Sequence, residues 1–155
     1  MKLPESTEWV LHAVASLAQL EPGAAASSLQ LAEHFDVSPT YLGKQLQALT
    51  RAGVLRAVTG PRGGFRLARP AEDITLLQVV EAVDGPPSFY VCNEIRQRGR
   101  GAAPPEQCRR TCGLAAAMYA AEQAYRDSLD AVSVADVVAG LPRGVPAKTR
   151  ALLTR

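Results

Sequence analysis

The sequence predicts a mainly α-helical protein: a winged helix-turn-helix of three helices and a β-hairpin wing, followed by a long C-terminal dimerisation helix. Three observations lead there. In residues 38–53, Leu42, Leu46 and Leu49 recur at spacings of four and three and form one apolar stripe, with Thr40, Tyr41, Lys44, Gln45, Gln47 and Thr50 off it. A shorter helical segment from Ser27 ends about three or four residues earlier, the spacing of a helix-turn-helix. Two alternating runs, 54–59 and 65–68, then flank Gly60-Pro-Arg-Gly-Gly64, which reads as a tight hairpin turn.

The totals agree with this class. The chain has 155 residues, enough for one domain with a real core and an appendage. Hydrophobic residues make up 47% but aromatics only 5%, so the core is mostly Ala, Val and Leu, which excludes a disordered chain and favours helices. The net charge of +2 is a weak pointer to nucleic acid; the placement of the charges carries more. No apolar run reaches bilayer length, and the first residues lack the apolar core of a signal peptide, so a cytoplasmic protein with no membrane partner is expected. In that compartment the three cysteines read as metal ligands or redox groups rather than structural disulfides.

The elements follow in order. Residues 7–20 form a first helix with Val10, Val14 and Leu17 inward, broken by Glu21-Pro-Gly. Ser27 or Ser28 caps a second helix, with Leu29, Ala32 and Phe35 facing the core. Ser38 caps the third, Pro39 fits its first position and Gly53 ends it. Its outer face, nearly free of acids and rich in donors, suits the major groove of DNA, with Ser38, Thr40, Tyr41, Lys44 and Gln45 as the reading set. Arg62 at the wing tip, with Arg56 and Arg66 on the strands, is placed to reach phosphates or a narrow minor groove. Thr75 caps a fourth helix packed through Leu76, Val79, Val80 and Val83 and stopped by Gly85. Residues 88–105 are irregular and carry the charged run Glu94-Ile-Arg-Gln-Arg-Gly-Arg100. A long Ala-rich helix is expected from Pro105 to about Ala131. It has too little local core to stand alone, so pairing with a second copy is expected, matched by operator DNA of two-fold symmetry. Ser133 caps a last short helix, and the tail reads as loose. The expected organisation is a DNA-binding domain over 1–85, a loop over 86–104, the dimerisation helix and short terminal helix over 105–140, and a flexible tail over 141–155.

The wing Gly60-Pro-Arg-Gly-Gly-Phe-Arg-Leu67, then Pro70-Ala-Glu-Asp-Ile-Thr-Leu76, then Val79-Val-Glu-Ala-Val-Asp-Gly85, resembles the Rrf2 family of bacterial winged-helix regulators. Ser38-Pro-Thr-Tyr-Leu-Gly-Lys-Gln-Leu-Gln-Ala-Leu49 resembles that family's recognition helix. The likeness spans about residues 5–140. It implies a homodimeric transcriptional regulator, usually a repressor, binding double-stranded operator DNA. In several members, cysteines after the fourth helix hold an iron–sulfur cluster. Here the spacing departs from the three close cysteines of the best-known cluster-binding members: Cys92 stands apart, and Cys108 and Cys112 follow with three residues between them. Tyr90-Val-Cys-Asn-Glu-Ile-Arg-Gln-Arg-Gly99 and Glu8-Trp-Val-Leu-His12 look most like the family's redox-sensitive regulator. In that group a side chain from the first helix of one subunit ligates the cluster of the other, which makes Glu8 and His12 candidates.

Residue chemistry is consistent with this. Thiolates are soft ligands for iron, and Cys108 and Cys112, four apart at an expected helix start beside Arg109 and Arg110, suit one iron of an anionic cluster. Glu8 and His12 repeat the i, i+4 spacing, about 5–6 Å at Cβ, for a second iron. The expected cofactor is one 2Fe-2S cluster per subunit held by Glu8, His12, Cys108 and Cys112, with Cys92 as the alternative ligand. Trp9, beside Glu8, is the expected coupling element between cluster and recognition helix. The expected function is a DNA-binding regulator sensing redox state or nitric oxide through that cluster. The alternative is a metal-free repressor switched by a disulfide among the three cysteines. No nucleophile–base pair and no phosphate-cradling loop points to an enzyme.

Overall fold

The computed structural model describes residues 3–61, 63–86 and 88–154. The elements run α1 (Glu5–Leu17), α2 (Ser28–Phe35), α3 (Pro39–Arg51), β1 (Leu55–Val58), β2 (Gly64–Leu67), α4 (Leu76–Asp84), α5 (Gly113–Asp130), α6 (Val134–Ala139) and α7 (Val145–Leu153). Single 3-10 turns lie at Ala71–Asp73, Ile95–Gln97 and Pro105–Cys108.

The helix-turn-helix forms as its sequence dictates. Ser27 and Gln30 make a reciprocal capping box at the start of α2, and the Ser38 hydroxyl accepts from the Tyr41 amide at 3.4 Å at the start of α3. Between them Asp36 takes the left-handed conformation at φ 53°, which closes α2 and turns the chain into α3. Leu42, Leu46 and Leu49 are wholly buried, packed with Val10, Ala13 and Val14 of α1 and with Val54, Leu55 and Val79. In α2 the inward residues are Leu31 and Ala32, with Phe35 half-buried. Leu29, expected inside, is 52% exposed, because burial of Leu31, two residues and about 200° on, turns Leu29 to the opposite side.

The wing is an antiparallel pair with Leu55 opposite Leu67 and Arg56 opposite Arg66. It is tied to the loop before α2 by a two-way bridge, Ala26 N–H to Phe65 O at 3.1 Å and Phe65 N–H to Ala26 O at 2.8 Å. The bridge explains Gly64. Its φ is +149°, and a Cβ there would lie 2.3 Å from the Ala26 carbonyl oxygen.

Two expectations about the C-terminal third are corrected. The helix expected from Pro105 starts only at Gly113, with a 3-10 turn at Pro105–Cys108 and a break before it. Cys112 is the N-cap: its Sγ accepts from the Ala115 amide at 3.4 Å. The residues 141–155 expected to be loose contain α7, which packs on α2. Leu153 is buried in the common core and its carbonyl accepts from Gln30 Nε2 at 3.1 Å. Arg150 Nη1 donates to the Gln19 carbonyl at 3.2 Å, just beyond the end of α1, and its Nε faces Glu21 at 3.3 Å. That guanidinium meets the negative end of a helix, where a cation is favoured.

The expected caps Thr75 and Ser133 are both observed, and the two residues bridge one another. Thr75 Oγ1 also donates to Asp130 at 2.9 Å, and Arg126 pairs with Glu81, so α5 is fastened to α4 along its second half. Its first half is bare: of α5 only Ala115 is buried, and Leu114, Met118 and Tyr119 are exposed. No helix among the described residues is long and apolar enough to cross a membrane.

Candidate nucleic-acid interface and thiol loop

The buried stripe of α3 fixes what its other face shows. Ser38, Thr40, Tyr41, Lys44 and Gln47 are exposed, and Gln45 is half-buried. No acidic residue interrupts this face, so the donors of Lys44, Gln45 and Gln47 lie along one open ridge of the kind that enters a major groove. On the wing, Arg56 is exposed, whereas Arg66 Nη1 donates to the Gly23 carbonyl at 3.1 Å and helps hold the wing to the loop before α2. Arg62 lies outside the described residues.

Glu8, Trp9 and His12 sit against this reading head. Glu8 and His12 are exposed, one turn apart on α1. The Trp9 indole meets the Tyr41 ring edge to face, centroids 5.5 Å apart at 84°, so α1 touches α3 through two aromatic rings. The His12 ring lies 5.8 Å from Phe35 at the end of α2. An open cleft runs between them, with Glu8, Trp9 and His12 on one wall and Phe35, Asp36 and Val37 on the other. The candidate ligands of α1 thus face the turn of the helix-turn-helix itself.

The cysteines lie elsewhere. Cys92, Cys108 and Cys112 are all half-buried and carry no disulfide. They gather at the loop between α4 and α5. The Tyr90 side chain contacts Cys92, lies near Cys112 and meets Tyr119 at 5.9 Å. Burial raises the Tyr90 phenol above its ordinary value, and the neighbouring thiols add to the rise. Arg96 donates through Nε and Nη2 to the two Glu94 oxygens at 2.6 and 2.7 Å, and through Nη2 to the Arg110 carbonyl at 3.1 Å. Its hydrogen bonds to Glu94 and its nearness to Cys108 and Cys112 favour the charged guanidinium, and the same bond holds the Glu94 carboxyl below its usual range.

Within one chain, no three His, Cys, Asp or Glu side chains among the described residues are placed to share a metal ion. The expected set remains two separate pairs, Glu8 with His12 on α1 and Cys108 with Cys112 flanking residues 109–111. The thiols are not stacked on one helix, as their spacing had suggested. One ends a 3-10 turn and the other caps α5. Sequence reasoning noted Arg96 only as part of a charged run; an acid two residues before it was the available signal.

The profile of the Rrf2 family, described as iron-dependent transcriptional regulators, matches residues 3–140. The chain belongs to the Rrf2 family. It is 31% identical over 137 residues to YffB of Lactococcus lactis, described as an HTH-type transcriptional regulator, covering 88% of this chain and 86% of that protein. It is 36% identical over 90 residues to YwgB of Bacillus subtilis, described in the same way; that match spans 58% of each chain. Among solved structures, the oxidised form of CymR from Staphylococcus aureus superposes with a TM-score of 0.66 at 25% identity, over 92% of this chain and 99% of that one. The winged helix is that of Rrf2 regulators, and these relatives are regulators of transcription rather than enzymes. α7 lies beyond the stretch matched by the Rrf2 profile.

Proposed function

We propose that this Rrf2 regulator is a homodimeric repressor that senses redox state or nitric oxide through one 2Fe-2S cluster per subunit, in the manner of the redox-sensitive regulator RsrR. Glu8 and His12 of one subunit and Cys108 and Cys112 of the other are the proposed ligands. The observation that carries the reading is the position of Glu8 and His12: both exposed, one turn apart, in a cleft walled by the turn of the helix-turn-helix. The donor set suits the group, two soft thiolates for one iron and an imidazole with a carboxylate for the other. Because each chain presents only two donors in one place, a complete set needs two chains. The bare apolar face of α5, with Leu114, Met118 and Tyr119 exposed, supports a second copy as its cover. A bound cluster supplies a one-electron change in charge. The residues do the rest: Glu8 and His12 hold α1 by its exposed side, Trp9 carries any shift to Tyr41, and α3 with Lys44, Gln45 and Thr40 meets duplex DNA.

Anaerobic purification with iron and sulfide assays and a visible spectrum tests this. A coloured protein with equal iron and sulfide, lost on replacing Cys108, Cys112 or His12, is expected. A colourless, iron-free preparation overturns it. A second reading, a disulfide switch without metal, is favoured by Tyr90 touching Cys92 while lying near Cys112, and by the likeness to a CymR solved in an oxidised form. It predicts DNA binding that follows reductant in iron-free protein and is abolished by Cys92→Ser.

A further inference from the structure

We propose that Arg96 is the positioning residue of the thiol loop: clamped by Glu94 and by the Arg110 carbonyl, its guanidinium holds the Cys108–Cys112 segment in place and keeps a fixed positive charge beside both sulfurs. The inference rests on the reading of Cys108 and Cys112 as the sensor thiols, but its test does not depend on a cluster.

Three observations meet at this side chain. The forked pair with Glu94 is bidentate, the geometry that fixes a guanidinium plane. The third bond reaches the carbonyl of Arg110, midway between the two cysteines, and so ties the turn at Ile95–Gln97 to the segment that spaces the thiols. The backbone joins in, with the Ala103 amide donating to the Arg96 carbonyl at 2.7 Å and the two 3-10 turns packing together. Glu94 is held at φ 48°, a left-handed conformation that a glutamate keeps only when its surroundings enforce it. A loop with so little secondary structure and such closely specified contacts is built to hold something still. What it holds are the sulfurs of Cys108 and Cys112, both close enough to stabilise the guanidinium, whereas Cys92 is not. A cation beside a thiol favours the thiolate, the form that binds iron and the form that reacts. Glu94 sets the size of the effect, since it neutralises part of the charge it fixes.

The two partners therefore act on the thiols with opposite sign. The test is the rate of iodoacetamide alkylation at each cysteine, followed by mass spectrometry on full-length reduced protein treated with chelator. With the side chains of Arg96 and Glu94 31% and 34% exposed, screening limits the effect to about threefold at neutral pH. Arg96→Gln slows Cys108 and Cys112 by that factor and leaves Cys92 unchanged. Glu94→Gln speeds the same two. Unchanged rates, equal slowing of all three thiols, or faster reaction in Arg96→Gln overturns the proposal. Should Arg96→Gln fail to fold by circular dichroism, Glu94→Gln decides alone, and no acceleration overturns it. A wild-type chain that takes up no iron sinks the cluster reading and leaves this result standing.

Discussion

The contact between Trp9 and Tyr41 makes the sharpest prediction, because it is the one aromatic contact between α1 and α3. The rings meet edge to face at 5.5 Å and 84°, a geometry worth about 0.5–1.5 kcal/mol beyond the area it covers. Trp9→Ala and Tyr41→Ala, with the double variant, form a cycle whose coupling energy, read from urea unfolding, should fall in that range. Coupling within the about 0.3–0.5 kcal/mol expected for independent sites refutes a specific contact. The same energy bounds what the pair transmits. Lost entirely from one redox state, it changes DNA affinity by about 2- to 13-fold. Fluorescence anisotropy with a duplex selected from genomic DNA by the wild-type protein reads this directly. Trp9→Ala should keep the visible absorbance of the proposed cluster and lose the difference in affinity between oxidised and reduced protein. A difference that survives intact removes Trp9 from the mechanism.

Lys44→Ala should weaken binding to every duplex and lower the slope of log affinity against log salt by about one, if the ammonium meets a phosphate; loss confined to one sequence would mark a base contact instead. Leu153→Ala should destabilise the fold by about 2–5 kcal/mol in urea, because this leucine lies in the common core; a cost below about 0.5 kcal/mol would mean α7 is not docked in solution. Ser133 bonds lower the Asp136 carboxyl below its ordinary value of 3.8. A depressed carboxyl contributes stability above its unfolded value and loses it as pH falls through the folded one. The stability gap between wild type and Ser133→Ala should therefore be full at neutral pH and shrink below about pH 4, and a gap that widens in acid would contradict the assignment.

The DNA-binding half was legible because each of its signals is local. A hydroxyl before Pro39, leucines at helical spacing and paired glycines in the wing turn act over a few residues, and tertiary packing agrees with them. The misjudged elements depend on remote contacts. α7 has only a few apolar residues, and its docking comes from Leu153 entering a core built by α1–α3 and from Arg150 meeting the Gln19 carbonyl. The start of α5 was misplaced for a similar reason. Residues 105–112 carry no strong helix breaker after Pro105, and the break is set by the Arg96 bond to the Arg110 carbonyl and by the cap at Cys112. At the candidate site, the one-turn spacing of Glu8 and His12 was readable from α1 alone. The position of that pair opposite the turn Asp36–Val37 was not, since it depends on how α1 crosses α2.

The cap at Cys112 links chemistry to mechanics. Most helix caps are hydroxyls or carboxylates, inert under physiological conditions, but here the atom that closes the first turn of α5 is a sulfur open to oxidation, alkylation and metals. Any event that pulls this sulfur from the Ala115 amide frays the helix at its origin, beside the uncovered Leu114 and Met118. Reactivity at one atom is thus wired into the stiffness of the surface where two copies would meet.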